Sequence, residues 1–343
     1  MVFTDGKIVN RNYTVALIVP CFNEEDSVAL FVAEAEKALA AYMPHIFIVF
    51  VDDGSTDATV RNILALRQDK PFINVLRLSR NFGKEAAVSA ALDTVDADAY
   101  IIADVDLQDP LELAAQFIDV WREQGVDTVC GKRADRASDT WLKRVTAGGF
   151  YRVFNRLSGR VKIPVNVGDY RLVDRKIVEI LRHVPEANRF MKGLFVWGGG
   201  KMVELPYVRP ERAAGQTKWN YGRLFNFALD GITQFSSLPL RVWSYVGGCV
   251  ALLAFMYMLF IVFRTIVLGI DLPGYASLMS TVLFLGGVQL VSIGVLGEYL
   301  GRMQQEIKRR PSYVVDGIVG KIKEKIVPGR YNCGIVLKGG DEA

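Results

Sequence analysis

Two stretches near the C-terminus restrict this chain more than any other feature in it. Val242–Phe263 runs for 22 residues without a charge, between Arg241 and Arg264, and Leu272–Gly297 runs for 26, between Asp271 and Glu298. As helices rising about 1.5 Å per residue they reach about 33 and 39 Å, enough to cross a hydrocarbon core of about 30 Å with some tilt. Uncharged runs of this length rarely serve as core helices of soluble domains. The connection, 264–271, is short enough to force a hairpin with both ends on one side. Arg241, Arg302, Lys308, Arg309 and Arg310 flank the hairpin, whereas the charges of the connection cancel. The positive-inside rule therefore places both ends, and the rest of the chain, on the cytoplasmic side of an inner membrane.

The N-terminal half reads differently. Apolar runs at Val15–Val19, Ile46–Val51, Val75–Leu78 and Ala99–Ala103 alternate with helical patterns at Ser27–Tyr42, Thr56–Arg67 and Gly83–Val95. That alternation predicts βαβ units and a mostly parallel sheet, an α/β fold. In such sheets ligands bind beyond the carboxyl ends of the strands. From Asp109 to about Tyr207 the alternation becomes irregular. Just before the hairpin, Leu224, Phe227, Ala228, Ile232 and Phe235 recur at helical spacing, the pattern of a helix lying in the membrane interface or packed on the N-terminal domain. The expected organisation is a catalytic domain over 1–219, an interfacial helix over 220–241, two membrane helices within 242–300 (about 242–264 and 272–297) and a partly ordered cytoplasmic tail over 301–343.

Composition removes several classes. A net charge of +4, with no basic block, gives no reason to expect nucleic acid as a partner. The four cysteines, Cys21, Cys130, Cys249 and Cys333, lie far apart with no CxxC pair, which suits reduced thiols facing a cytosol. His45 and His183 are the only histidines and cannot build a zinc site alone. The polar start, Met1–Asn12, does not read as a secretory signal. Gly198-Gly199-Gly200 lacks the spacing of a phosphate loop and reads as a turn.

Chemistry gathers at two strand ends. Asp104-Val105-Asp106-Leu107-Gln108-Asp109 leaves the fourth strand directly, and two carboxylates at that spacing can share a divalent cation with a diphosphate. Such a metal neutralises the charge of a leaving diphosphate. Val51-Asp52-Asp53-Gly54-Ser55-Thr56-Asp57 follows the second strand. There Gly54 would let backbone approach a ligand, Ser55 or Asp57 would cap the next helix, and a carboxylate could accept from a base imide or a ribose hydroxyl. An acidic turn with a helix cap explains the same residues without a ligand.

Taken with Val19-Pro20-Cys21-Phe22-Asn23-Glu24 and Asn81-Phe82-Gly83-Lys84, these clusters resemble the family 2 glycosyltransferases of GT-A fold. The closer likeness is to dolichol-phosphate mannose synthases and bactoprenol glucosyltransferases. Gly168-Asp169-Tyr170-Arg171-Leu172, Arg189-Phe190-Met191-Lys192-Gly193 and Arg212–Trp219 extend it, and the two-helix hairpin is the arrangement of the bactoprenol branch. The resemblance implies that Pro20, Phe22, Glu24, Asp52, Asp53, Lys84 and Asp104 line a nucleotide pocket. It implies that Asp104, Asp106 and Gln108 hold Mg²⁺ or Mn²⁺, and that Asp169 and Asp106 stand at the reacting centre. Arg133, Arg144, Arg212 and Lys218 would surround the acceptor phosphate and donor diphosphate, with Arg136 and Lys143 competing for the first two roles. Phe22 stands where the family often has Tyr.

The activity so implied is inverting transfer of a hexose, glucose favoured, from a nucleotide-sugar, UDP-glucose favoured, to a polyprenyl phosphate at the membrane. GDP-mannose, UDP-galactose, UDP-GlcNAc and UDP-4-amino-4-deoxy-arabinose stay open as donors. The family precedent also suggests homo-oligomers. A processive polysaccharide synthase would carry more membrane helices and a QxxRW-type motif. A catalytically dead membrane scaffold would have no use for Asp104, Asp106 and Asp169.

Overall fold

The computed structural model describes residues 3–4, 7–8, 12–134, 162, 164, 166–184, 186, 189–208, 238–268, 274–308, 310–320 and 322. The first secondary structure is a two-stranded hairpin, β1 (Phe3–Thr4) and β2 (Lys7–Ile8). Eight further strands form one mixed sheet: β3 (Val15–Cys21), β4 (Ile46–Asp52), β5 (Ile73–Leu78), β6 (Ala99–Ile102), β7 (Thr128–Arg133), β8 (Val167–Asp174), β9 (Met202–Tyr207) and β10 (Val315–Val319). Their order is β10-β5-β4-β3-β6-β8-β7-β9. β3, β4, β5 and β6 run parallel, β8 runs antiparallel to β6 and β7, and β10 runs antiparallel to β5. This mostly parallel sheet, flanked by helices, is the expected GT-A fold.

The strands are apolar on both sides because helices cover both faces. Along β3, Val15, Leu17 and Val19 enter one core while Ala16 and Ile18 enter the other. α1 (Val28–Ala38), α2 (Thr59–Asp69) and α4 (Leu111–Gln124) cover the first face. α3 (Lys84–Thr94), α5 (Arg175–Arg182) and α6 (Met191–Trp197) cover the second. α1 presents Val28, Phe31, Val32 and Ala35 to the core, the helical spacing that buries one stripe. α4 stops at Gly125, whose left-handed φ of +58° closes the last turn without a Cβ penalty.

The two long helices are α7 (Leu238–Leu268) and α8 (Tyr275–Ile307), and they pack against each other. Both outrun the uncharged stretches, taking in Arg264 and, in α8, Glu298 and Arg302, because helical hydrogen bonding continues past the lipid-facing part. Leu253, Phe255, Phe263, Phe284 and Leu290 are exposed, a surface suited to lipid rather than water. By length and composition, 284–307 can cross a membrane, and α7 carries an apolar stretch at 245–257. Beyond α8 the chain returns to the sheet as β10, so part of the segment read as a tail belongs to the catalytic domain's sheet. The interfacial-helix pattern over Leu224–Phe235 lies outside the described residues.

Candidate active site

The order β5-β4-β3-β6 reverses between β3 and β6, so a crevice opens beyond their carboxyl ends. Cys21–Glu24 leaves β3 there and Ala103–Asp109 leaves β6. β8, antiparallel to β6, brings Gly168 and Asp169 to the same edge, with Ile102 paired to Arg171. α3 begins at Lys84 against this edge.

Lys84 is the centre of the constellation. Its Nζ lies 2.5 Å from Asp104 Oδ1 and donates to Asp169 Oδ2 at 3.0 Å. Lys192, in the first turn of α6, lies 3.4 Å from Asp169 Oδ1. About a third of the Lys84 and Asp169 side chains stays open to solvent, 34% and 30%, so the group faces the crevice. Burial works against charge on Asp169, but Lys192 and Lys84 outweigh it and hold the carboxyl well below the usual range. Burial likewise opposes charge on Lys84, and Asp104 and Asp169 outweigh it to push its pKa up. Asp169 is thus a lysine-held carboxylate. Arg171 meets the backbone beside it, donating to the Gly168 carbonyl at 2.7 Å and the Asp169 carbonyl at 3.4 Å and stacking over Phe195 at 4.6 Å, and its charge adds to the pull of the lysines on Asp169.

Beside Asp169 a small cavity is lined by Lys84, Glu85, Val88, Met191 and Phe195. Glu85 Oε2 accepts from the Met191 N–H at 3.1 Å. Burial, with the charge of Asp169 next, pushes Glu85 up to about 7 against the pull of Lys192 and Lys84. The sequence reading assigns no role to Glu85 or Lys192. The available signal is the Lys84-Glu85 pair directly after Gly83, and the lysine inside Arg189–Gly193.

Asp106 accepts from the Gln108 N–H at 3.2 Å, and Leu107 between them holds a left-handed φ of +56°. A bulky residue there is strained by about 1–3 kcal/mol, which concentrates at binding turns. The turn is fastened from below by Tyr207 donating to Asp109 Oδ1 and Tyr170 donating to the Pro110 carbonyl, both at 2.8 Å. Among the described residues no three His, Cys, Asp or Glu side chains converge as a metal cluster. The set still fits a hard cation: Asp104 and Asp106 offer carboxylates, and Gln108 Oε1 is buried with no hydrogen-bond partner, an amide oxygen such a cation would satisfy.

The second acidic cluster serves the scaffold. Asp53 takes the Phe82 N–H at 2.7 Å and the Gly83 N–H at 2.8 Å, fixing the loop that delivers Lys84. Asp52 accepts from the Ser55 N–H at 3.2 Å. Gly54 (φ +74°) is approached not by a ligand but by the chain itself: a Cβ would stand 2.5 Å from the Arg80 carbonyl carbon. That corrects the reading of Gly54 as a ligand contact. Asp57, and not Ser55, meets the start of α2, accepting from the Thr59 N–H at 3.0 Å, while Ser55 Oγ accepts from the Asn23 N–H.

Pro20, Phe22 and Glu24 are half-buried at the end of β3, with Glu24 Oε2 accepting from Ser27 Oγ at 2.9 Å. Arg133 ends β7, its guanidinium against the Tyr207 hydroxyl and about 4 Å from where a Cβ on Gly168 would stand. Arg144, Arg212 and Lys218, with Arg136 and Lys143, lie outside the described residues. His45 stacks on Tyr13 and His183 meets the Glu179 carbonyl, both structural. Cys21, Cys130 and Cys249 are free thiols.

A GT-A sheet with an acidic turn after β6, joined to an apolar helical hairpin, defines a membrane-associated glycosyltransferase. The chain belongs to glycosyl transferase family 2, whose model matches residues 16–181, and the GtrB C-terminal hairpin matches 238–303. It is 47% identical to an uncharacterized glycosyltransferase of Synechocystis sp. over 89% of this chain and 96% of that one. It is also 47% identical to the prophage bactoprenol glucosyl transferase homolog of Escherichia coli, over 88% and 98%. A putative glycosyltransferase of Bacillus subtilis is 37% identical over 92% and 93%.

Proposed function

We propose that this enzyme transfers a hexose, with glucose favoured, from a nucleoside diphosphate sugar, with UDP-glucose favoured, to a polyprenyl phosphate of the undecaprenyl type. The reaction takes place at the cytoplasmic face of the membrane. The observation that carries the reading is the meeting of Asp104, Lys84, Asp169 and Lys192 at the crevice of a chain that also carries a lipid-facing hairpin. The bactoprenol glucosyl transferase name of its 47% identical relative supports the acceptor class.

A phosphate monoester is largely dianionic at neutral pH, so its oxygen can attack the anomeric carbon without a base removing a proton. The carbon–oxygen bond to the diphosphate breaks, its electron pair leaves with the diphosphate, and the sugar is inverted. The protein must then hold two anions together, which calls for charge and placement above all. Asp169, held far below the usual carboxylate range, is a poor proton acceptor. Its role is to fix Lys84 and Lys192 where they face the reacting phosphates and to orient a sugar hydroxyl or the acceptor. Asp104, Asp106 and Gln108 would hold Mg²⁺ or Mn²⁺, which supplies charge neutralisation at the diphosphate. Pro20, Phe22 and Glu24 would border the nucleotide, with Asp52 and Asp53 shaping the loops beneath it, and Arg133, Arg144, Arg212 and Lys218 would serve the phosphates.

The hairpin fits the acceptor. Withdrawing a polyprenyl tail from the bilayer costs about 0.8 kcal/mol per exposed CH₂, so the enzyme must come to the headgroup layer. The test is a screen of radiolabelled UDP- and GDP-sugars against undecaprenyl and dolichyl phosphate in membranes holding the enzyme. Label from UDP-glucose in the lipid phase is expected. Label from another donor alone would reassign the sugar, and release of no nucleoside diphosphate with any pair would overturn the reading.

A further inference from the structure

The chain leaves α8 at Ile307 and is buried in the catalytic domain again by Tyr313, which is 4% exposed. The Tyr313 hydroxyl donates to Asp93 Oδ2 at 3.0 Å. Burial, then the charge of Asp93, pushes the Tyr313 pKa far up, so the hydroxyl remains a donor. The same carboxylate holds Arg189, whose Nη1 lies 3.4 Å from both oxygens, and Arg189 Nη2 donates to the Leu181 and Val184 carbonyls at 3.0 Å. Asp93 and Arg189 are 3% and 5% exposed, so no solvent screens this network. Beside it, the Ser79 N–H donates to the Val314 carbonyl at 2.9 Å and β10 pairs with β5.

None of the three residues touches the crevice, yet each stands on an element that leads to it. Asp93 lies in the last turn of α3, whose first residue is Lys84. Arg189 opens the segment that delivers Lys192 to Asp169 three residues later. Tyr313 lies six residues beyond the end of α8. Apolar residues of similar volume would fill such a site at little cost to stability, whereas a directional buried network fixes one arrangement.

We propose that Tyr313 is a positioning residue: through Asp93 and Arg189 it couples the exit of the membrane hairpin to the placement of Lys84 and Lys192. Its kinetic consequence rests on the sugar-transfer reading, but its structural consequence does not.

The test uses full-length protein in phospholipid vesicles and the variant Tyr313→Phe, which keeps the ring and removes only the hydroxyl. Amide exchange at 84–88 and 189–193 is expected to rise roughly tenfold, with other core strands unchanged. With UDP-glucose and undecaprenyl phosphate, kcat should fall about fivefold while KM for the donor stays within about twofold. In a Lys192→Gln background the same substitution should cost less than about twofold, because the two act through one placement. Unchanged exchange at both segments, or the same fall in kcat in both backgrounds, would overturn the proposal. If the wild-type enzyme transfers no sugar, the functional reading fails and the exchange result alone decides the role of Tyr313.

Discussion

Lys84 carries two duties that a neutral side chain cannot share: it cancels charge on Asp104 and anchors Asp169. Lys84→Gln keeps much of the length and loses the charge, leaving two facing carboxylates to repel each other. Transfer is expected to fall by roughly 10²-fold or more, the size of losing one preorganised charge at a reacting centre. A steady-state rate in vesicles checks it. Glu85 leads to a different measurement. Its folded pKa, about 7, lies above the ordinary carboxylate value, so the folded state binds the extra proton. The stability it contributes is full below the ordinary value and is lost as pH rises through about 7. Thermal midpoints should therefore decline from about pH 5 to pH 7, and Glu85→Gln should flatten that slope. Asp169 acts in the opposite window: its depressed pKa gives stability that is lost only as pH falls below the ordinary carboxylate range.

The loops between strands explain what could and could not be foreseen. The strands and helices up to Ala103 were legible because apolar runs buried on both faces leave little choice of register, and β3 through β6 fall where the alternation places them. The acidic turn after β6 was legible from its position at a strand end. Inside Asp52–Asp57 the roles were legible only in part: Asp52 and Asp57 meet amides two or three residues on, but Asp53 and Ser55 take amides 29 to 32 residues away in sequence, those of Phe82, Gly83 and Asn23. Lys192 and Glu85 were hidden for the same reason: only the crossing of α3 and α6 brings them beside Asp169. Gly54 gives this a measurable form. Gly54→Ala puts a Cβ into the Arg80–Asn81 backbone at a left-handed φ, so a loss of at least about 1 kcal/mol is expected. Donor KM should rise with it, since the displaced loop delivers Lys84; a midpoint and KM both at wild-type values would contradict that account.

The molecule joins a catalytic sheet to an apolar helical hairpin, and after the hairpin the chain returns as β10 to the edge of that sheet beside β5. The hairpin was legible from two uncharged runs alone, whereas β10 was not, because a five-residue strand at a sheet edge carries little pattern of its own. Leu290, 71% exposed on α8, tests the membrane role: Leu290→Lys should cost about 2.5–3.5 kcal/mol near the bilayer centre and lower the fraction resistant to carbonate extraction. In the proposed reaction, Asp104 and Asp106 would hold a divalent cation at the crevice where an activated sugar meets an anionic lipid. Its most direct measurement is the rate at which label from UDP-glucose enters undecaprenyl phosphate, compared between wild-type enzyme and Asp106→Asn with Mg²⁺ or Mn²⁺ in excess. The account expects the variant to be slower by roughly 10²-fold or more while remaining folded and membrane-bound. Transfer at the wild-type rate by Asp106→Asn would contradict it.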